Sequence, residues 1–255
     1  MLAFLVALSC PGRALAWPGD LSRSIATDAF QLLPKSLADL LVAHQGEIFS
    51  EARISKSQAL ALVYSDLPKG RLGVTTRAAL GDEALRCARA LQGEEFKAAV
   101  ISLGSTYRLA VDLADPGVGA GLGIDEKARA IRREFYLYVT SNRDKIPLVV
   151  AEPASLKLRL DALPGFLGEV MQKASAQAAL LRAEGQESGR VLKYTEIDFR
   201  SPVFAVASTA YSRSVGAVAA TWIAIWRSAG GDLQRQKKLR TITPRAFGIN
   251  QEPIS

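Results

Sequence analysis

The sequence predicts an all-α protein, built as a single-domain multi-helix bundle. Apolar residues recur three and four positions apart along most of its 255 residues, the spacing of one helix face. Caps and Pro/Gly breaks punctuate that pattern at intervals of ordinary helix length. There is no convincing run of alternating strand pattern, no internal repeat and no low-complexity tract. Hydrophobic residues make up 49% of the chain and charged residues 22%, enough to bury a sizeable core and unlike a disordered composition.

Residues 1–16, MLAFLVALSCPGRALA, read as a secretory signal: an apolar run, a helix-breaking Pro-Gly, then Ala14-Leu15-Ala16 as a small-residue cleavage site. A positively charged leader is missing, and an ordinary buried N-terminal helix is the alternative. Cys10 is a poor lipidation site, because Ala7 stands where a lipobox prefers Leu. No later stretch offers about 18 uncharged apolar residues, the nearest being the short Val215–Trp226 run. The chain therefore reads as exported, periplasmic or extracellular, and not transmembrane.

Leu21, Ile25, Ala29 and Leu32 mark a first helix over 21–33, which Pro34 interrupts. Leu37, Leu40, Leu41, His44 and Ile48 continue at helical spacing, and 57–64 reads as a further short helix before a loop at Lys69–Gly73. Thr75 or Thr76 is the expected cap of a helix through Leu80, Ala84, Cys87 and Leu91. Gly93 separates it from a helix over Phe96–Leu113. Asp125 is the expected cap of the next, which ends near Lys145 before Pro147. Ala154–Ala183 is Leu/Ala-rich and helical, with Pro164-Gly165 as a break. Glu184–Arg200 is a polar excursion in which VLKYTEIDF, 191–199, has the composition of a short strand. Ser201-Pro202 opens the clearest helix, Ser as cap and Pro at the first helical position, and Gly230-Gly231 ends it. Trp222 and Trp226, one turn apart on it, read as core anchors. The organisation expected is a signal peptide at 1–16, an all-α domain at 17–231 and a basic C-terminal tail at 232–255.

The formal charge is +7, and Arg13 leaves with the signal. Part of the excess lies in Arg235, Lys237, Lys238, Arg240 and Arg245. A solvated tail is the plain reading; a phospholipid or other anionic surface is the partner it would suit. No aromatic residues interleave with these charges, so there is no specific nucleic-acid motif. Cleavage after Ala16 leaves Cys87 as the sole cysteine, which rules out an intramolecular disulfide and thiolate zinc sites.

The stretch 103–119, LGSTYRLAVDLADPGVG, sets two charges in an apolar helix pattern just before a Pro/Gly break. Leu103-Gly104 is followed by Arg108, Asp112, Pro116 and Val118 at fixed spacing, and Ala130 and Glu134 come further on, four residues apart. This pattern resembles the zinc-dependent phospholipase C superfamily, which includes a nuclease branch. That family carries Leu-Gly-x-x-x-His-x-x-x-Asp-x-x-x-Pro-x-His, then a His-x-x-x-Glu helix, and a mature N-terminus beginning with Trp whose amine and carbonyl bind metal. The mature chain expected here begins Trp17-Pro18-Gly19-Asp20. Leu33-Pro34, Leu37 and His44 resemble the family's second helix, and Ser201–Gly231 its closing helix.

The resemblance implies a bundle like that of zinc-dependent phospholipase C and a chemistry of metal-assisted phosphodiester hydrolysis. Each zinc takes about four ligands, mainly imidazole nitrogen and carboxylate oxygen. This chain has one His. At the family's imidazole positions stand Ser22, Arg108, Val118 and Ala130, and the usual Pro-Asp is missing around Glu51–Ser57. The surviving positions of the metal site are Trp17, Asp112 and Glu134. A guanidinium does not bind a cation, so Arg108 is expected to replace the metal: it would donate to Asp112 or Glu134, with Trp17 nearby. An ordinary i,i+4 pair on a solvated face is the alternative. No catalytic residue and no cofactor are expected, and the function implied is an exported, non-catalytic binding or scaffolding protein. The rival is a phosphodiester hydrolase, of phospholipase C or nuclease type, working with zinc at a reduced metal site.

Other signals carry less. His44 with Glu47 and Glu51 would make a metal site from one helix face without ligands from elsewhere, so a surface or interface histidine is the better reading. Gly117–Gly123, GVGAGLG, follows a helix and lacks Gly-Lys-Ser/Thr, so it reads as an interhelical loop and not a phosphate cradle. Cys87 reads as a buried structural thiol, Tyr136 and Tyr138 as packing residues, and one His leaves little scope for a Ser-His-Asp triad.

Overall fold

A computed structural model describes residues 17–120, 126–149, 157–187 and 198–233. The signal-like segment 1–16, the Asp125 cap, most of VLKYTEIDF and the basic tail from 234 onward lie outside the described residues. Ten α-helices and no strand occur among the described residues: α1 (Gly19–Phe30), α2 (Lys35–Ala43), α3 (Gln45–Ser50), α4 (Lys56–Asp66), α5 (Val74–Gln92), α6 (Phe96–Leu113), α7 (Pro116–Ala120), α8 (Glu126–Ser141), α9 (Leu163–Glu187) and α10 (Pro202–Ser228). The protein is all-α, as its periodicity predicts.

Two helices form the centre. From Ser102 to Leu113, α6 is buried at every position except Arg108, and α10 is buried on most of its surface from Val203 to Ile225. A helix that is apolar nearly all round must be covered on all sides. Here α6 packs against α5, α10, α3 and α4, while α10 packs against α9, α1 and α5 as well. Ser201 caps α10 by accepting from the Phe204 N–H at 3.1 Å, with Pro202 at its first position, and Gly230 beyond its end takes φ 82°. Arg143, just past α8, and Tyr211 of α10 both donate to the Asp28 carboxylate of α1, at 2.7 and 2.6 Å, tying the outer helices to the centre.

Several boundaries differ from the sequence pattern. The 37–48 run is not one helix: His44, at φ −116° and ψ 27°, divides α2 from α3, and the following Gln-Gly is a weak continuation. Neither Thr75 nor Thr76 caps α5. Gly73 stands at that cap and Thr76 is fully buried inside the first turn. Pro164-Gly165 does not break a helix but lies in the first turn of α9, where a missing N–H costs nothing. Pro116–Ala120, read as part of a loop, is a short helix. Trp222 is buried in full, whereas Trp226 is only partly covered and donates to the Asp232 carbonyl at 2.7 Å.

Gly104 lets α3 and α6 meet. A Cβ there would run into the carbonyl oxygen of Ile48 and lie 3.2 Å from the Ala52 side chain. Backbone cannot rotate aside, so Gly104→Ala is expected to cost roughly 1–3 kcal/mol by overpacking. Gly216→Ala on α10, where nothing lies within 4 Å of the added methyl, is expected to stabilise by roughly 0.5–1 kcal/mol through helix propensity. Urea unfolding of the two variants checks the opposite signs.

Candidate functional site

The elements around α6 converge on Trp17. Its indole is fully buried, lies 5.8 Å from the rings of both Phe135 and Tyr136 of α8, and donates to Ser214 Oγ of α10 at 3.2 Å. The Trp17 main-chain N–H donates to the Asp115 carboxylate, and the Trp17 carbonyl accepts from Lys56 Nζ at 3.4 Å.

Lys56 is placed by local structure. Ser55 and Gln58 form a capping box, Ser55 Oγ accepting from the Gln58 N–H at 3.2 Å and Gln58 Oε1 from the Ser55 N–H at 2.8 Å. That fixes Lys56 as the first residue of α4. Just before it, α6 holds both polar groups of the Ile54 backbone: Ser105 Oγ accepts its N–H at 3.1 Å and Arg108 donates to its carbonyl at 2.9 Å.

Asp115 is the N-cap of α7. Its Oδ1 accepts from the Gly117 N–H at 2.7 Å, with Pro116 between them at the first helical position. Its Oδ2 accepts from the Tyr136 hydroxyl at 2.6 Å. Gly117 has to be glycine here, because a Cβ would lie 2.6 Å from the Tyr136 ring. Asp112, one turn back on α6, is 4% exposed and its Oδ2 has no hydrogen-bond partner among the described residues. Tyr64 and Arg132 edge the cluster, the guanidinium donating to the phenol oxygen at 2.8 Å.

The sequence-predicted site is therefore only half assembled. Trp17 and Asp112 belong to one cluster. Glu134 is buried, but it pairs with Arg133 at 3.2 Å, and the charges acting on Asp112 are those of Asp115, Lys56 and Arg108. The expectation for Arg108 is overturned. Its guanidinium, half-buried, donates to the carbonyls of Ile54 at 2.9 Å and Phe49 at 2.7 Å, and to neither carboxylate. The reason is geometric: α3 ends and α4 begins within reach of Arg108, and their carbonyls take the donors first. Ser22 pairs with the Tyr107 hydroxyl, Val118 is fully buried in the core, and Ala130 is half-buried on α8. His44 lies apart, 3.5 Å from Glu47. Cys87 is fully buried, and burial pushes its thiol well above the usual range, as suits a structural residue.

Asp115, Lys56 and Tyr136 were not singled out as site residues in the sequence. The Asp-Pro-Gly signal of an N-cap was present at Asp115. Nothing local marked Lys56, whose role depends on a contact 39 residues away.

Burial raises both carboxyls. Asp112 is held well above the ordinary carboxylate range, the like charge of Asp115 adding to burial while Lys56 and Arg108 oppose it. Asp115 is pushed to about 7, burial outweighing its bonds from Tyr136, Gly117 and Trp17. An acid whose folded value lies above its unfolded value binds its proton more tightly in the fold. Its contribution is full below about pH 4 and is lost as pH rises through about 7. Asp112→Asn removes one such acid and its repulsion of the other. Its melting temperature is expected to fall less than the wild type's between about pH 4.5 and 8, as scanning calorimetry would show.

The donor set does not fit a zinc cluster. The sole imidazole is elsewhere, no group of three or more His, Cys, Asp or Glu able to hold a metal occurs among the described residues, and the Trp17 carbonyl faces an ammonium. Two surface hollows of about 570 and 500 Å³ share no lining residue with the cluster. No helix among the described residues is long and apolar enough to cross a membrane. Comparison with known proteins found no matching family model, no matching curated protein and no matching solved structure.

Proposed function

We propose that the chain is an exported relative of zinc-dependent phospholipase C that has lost its metal centre and acts as a non-catalytic binding or scaffolding protein. The observation that supports this most directly is the Lys56 ammonium at the Trp17 carbonyl, beside Asp112. On the resemblance, that carbonyl and that carboxylate would serve a cation; here a side chain of the protein supplies one. The Ala14-Leu15-Ala16 cleavage signal before Trp17 supports export.

Metal analysis of the purified protein, with hydrolysis assays on phosphatidylcholine and on a chromogenic phosphodiester, tests the reading. The expected result is far below one zinc per chain and no hydrolysis responsive to added zinc. One observation favours the rival, a phosphodiester hydrolase with a reduced metal site: the Oδ2 of Asp112, buried with no hydrogen-bond partner among the described residues. Firmly bound zinc near one per chain, with activity lost on chelation, would establish that rival. The basic tail suits an anionic lipid surface, and sedimentation with phosphatidylglycerol vesicles, compared with a chain ending at residue 233, tests that partner.

A further inference from the structure

The two surface hollows are neighbours. Leu85, 47% exposed on α5, lines both. On one side of it, Leu158 and Leu160 ahead of α9, Pro164 of α9 and Ala224 of α10 make an apolar basin of about 570 Å³. The rim of the basin is polar: Arg159 and Asp161 pair there at 3.1 Å, both exposed. On the other side, Arg53 from the turn between α3 and α4 joins Arg86 and Arg89 of α5 around a hollow of about 500 Å³. Asp82 and Glu95 also line it, so three cations face two anions. Arg86 is engaged by Glu83 at 3.4 Å, whereas Arg53 and Arg89 make no ion pair among the described residues.

We propose that the two hollows form one docking surface for an acidic peptide segment of a partner protein. One large apolar side chain enters the basin, and carboxylates a few residues along the segment meet Arg53 and Arg89. Charge complementarity identifies the polar half of that occupant, because a guanidinium takes a carboxylate through two parallel bonds. The basin identifies the other half. Its volume falls in the range of ligand pockets, roughly 300–1,000 Å³, and an apolar floor inside a polar rim is the layout in which one buried anchor carries most of the affinity. The saddle at Leu85 favours a peptide over a lipid. An alkyl chain crossing it towards the arginines would lie in water over its middle, whereas a peptide bridges an exposed ridge with solvated backbone and sends only side chains down. Asp82 and Glu95 repel a broad anionic surface such as a bilayer more than they repel two well-placed carboxylates. The chain's own 234–255 segment is basic and like in charge to the arginines. The surface extends the binding role proposed above without resting on the loss of a metal, since the hollows share no residue with the Trp17 cluster.

Random dodecapeptides displayed on phage and selected on the full chain test this. Enriched sequences are expected to combine one Leu, Ile, Met or Phe with Asp or Glu residues within about four positions. A fluorescein-labelled synthetic representative is then titrated by anisotropy. Its Kd is expected to rise roughly fivefold or more in Arg89→Glu and in Leu85→Asn, and in the wild type as salt goes from about 0.05 to 0.5 M. Both positions are exposed, so circular dichroism should show both variants folded; should Leu85→Asn unfold, Arg89→Glu decides alone. A peptide with Lys in place of its acids is expected to bind Arg89→Glu more tightly than the wild type, an inversion that a merely structural effect would not produce. Enrichment of no acidic-apolar sequence, or a selected peptide that the variants bind as the wild type does, overturns the proposal. Displacement of the peptide by a synthetic 234–255 segment also overturns it, giving the surface to the chain's own tail. Binding to phosphatidylglycerol vesicles that Arg89→Glu abolishes overturns it in favour of a membrane.

Discussion

Asp115→Ala is expected to lower the unfolding free energy by about 4 kcal/mol, the largest loss for any polar residue of the site. The carboxylate is 2% exposed and receives the Gly117 N–H, the Tyr136 hydroxyl and the Trp17 N–H. Removing it strands three donors that come from different parts of the chain. Each costs roughly 1–3 kcal/mol when orphaned in a dry place. Against that, the substitution relieves the burial of an acid and its repulsion of Asp112, which is why the net figure sits below the sum. For a domain of this size the melting temperature should drop by roughly 8–16 °C. Urea unfolding followed by tryptophan fluorescence measures it. A loss below about 1 kcal/mol would mean that water reaches these donors, contrary to a closed cluster.

Trp222→Ala is expected to cost roughly 3–5 kcal/mol. The ring is fully buried on α10, stacked 5.6 Å from Phe30 of α1 and 6.0 Å from Tyr107 of α6, and its indole N–H donates to the Leu103 carbonyl at 3.1 Å. One residue thus joins three helices. The void left by an indole is too large for Phe30 and Tyr107 to close without moving α1 against α6. Trp226→Ala, on the partly covered side of the same helix, is the comparator and should cost at most about half as much. Denaturation of both variants under the same conditions decides this, and equal losses would contradict the placing of Trp222 at the centre.

What could be read in the sequence was the local part. The 3.6-residue pattern located the helices because each buries one face, and Ser201-Pro202 marked the start of α10 because cap chemistry is local. Trp222 was legible as a core anchor from its spacing and size. The boundaries missed were those where a residue is read by its neighbours in space. Gly73 takes the cap of α5 from Thr75, and His44 divides a run whose apolar spacing continues through it. In the site, Trp17 and Asp112 were legible through the motif, and Asp115 was within reach as an N-cap before Pro116. Arg108 was misassigned because i,i+4 spacing gives a face but not a partner. The carbonyls that capture it belong to Phe49 and Ile54, 59 and 54 residues away.

If a metal site was lost, as proposed above, that capture would give the loss a direction in time. Arg108 now secures the turn between α3 and α4, and the same turn sets where Lys56 begins its helix. On the reading proposed above, an imidazole returned to position 108 would supply one ligand while releasing two carbonyls and loosening the element that carries Lys56. Val118 would have to be exchanged for a larger polar residue inside a closed core. No single step back improves both the fold and the affinity for zinc. A lineage that had reached this arrangement would be held there by its own architecture, whatever selection later favoured. Rebuilding the centre is then a redesign of the α3–α4 junction first and of the ligands second.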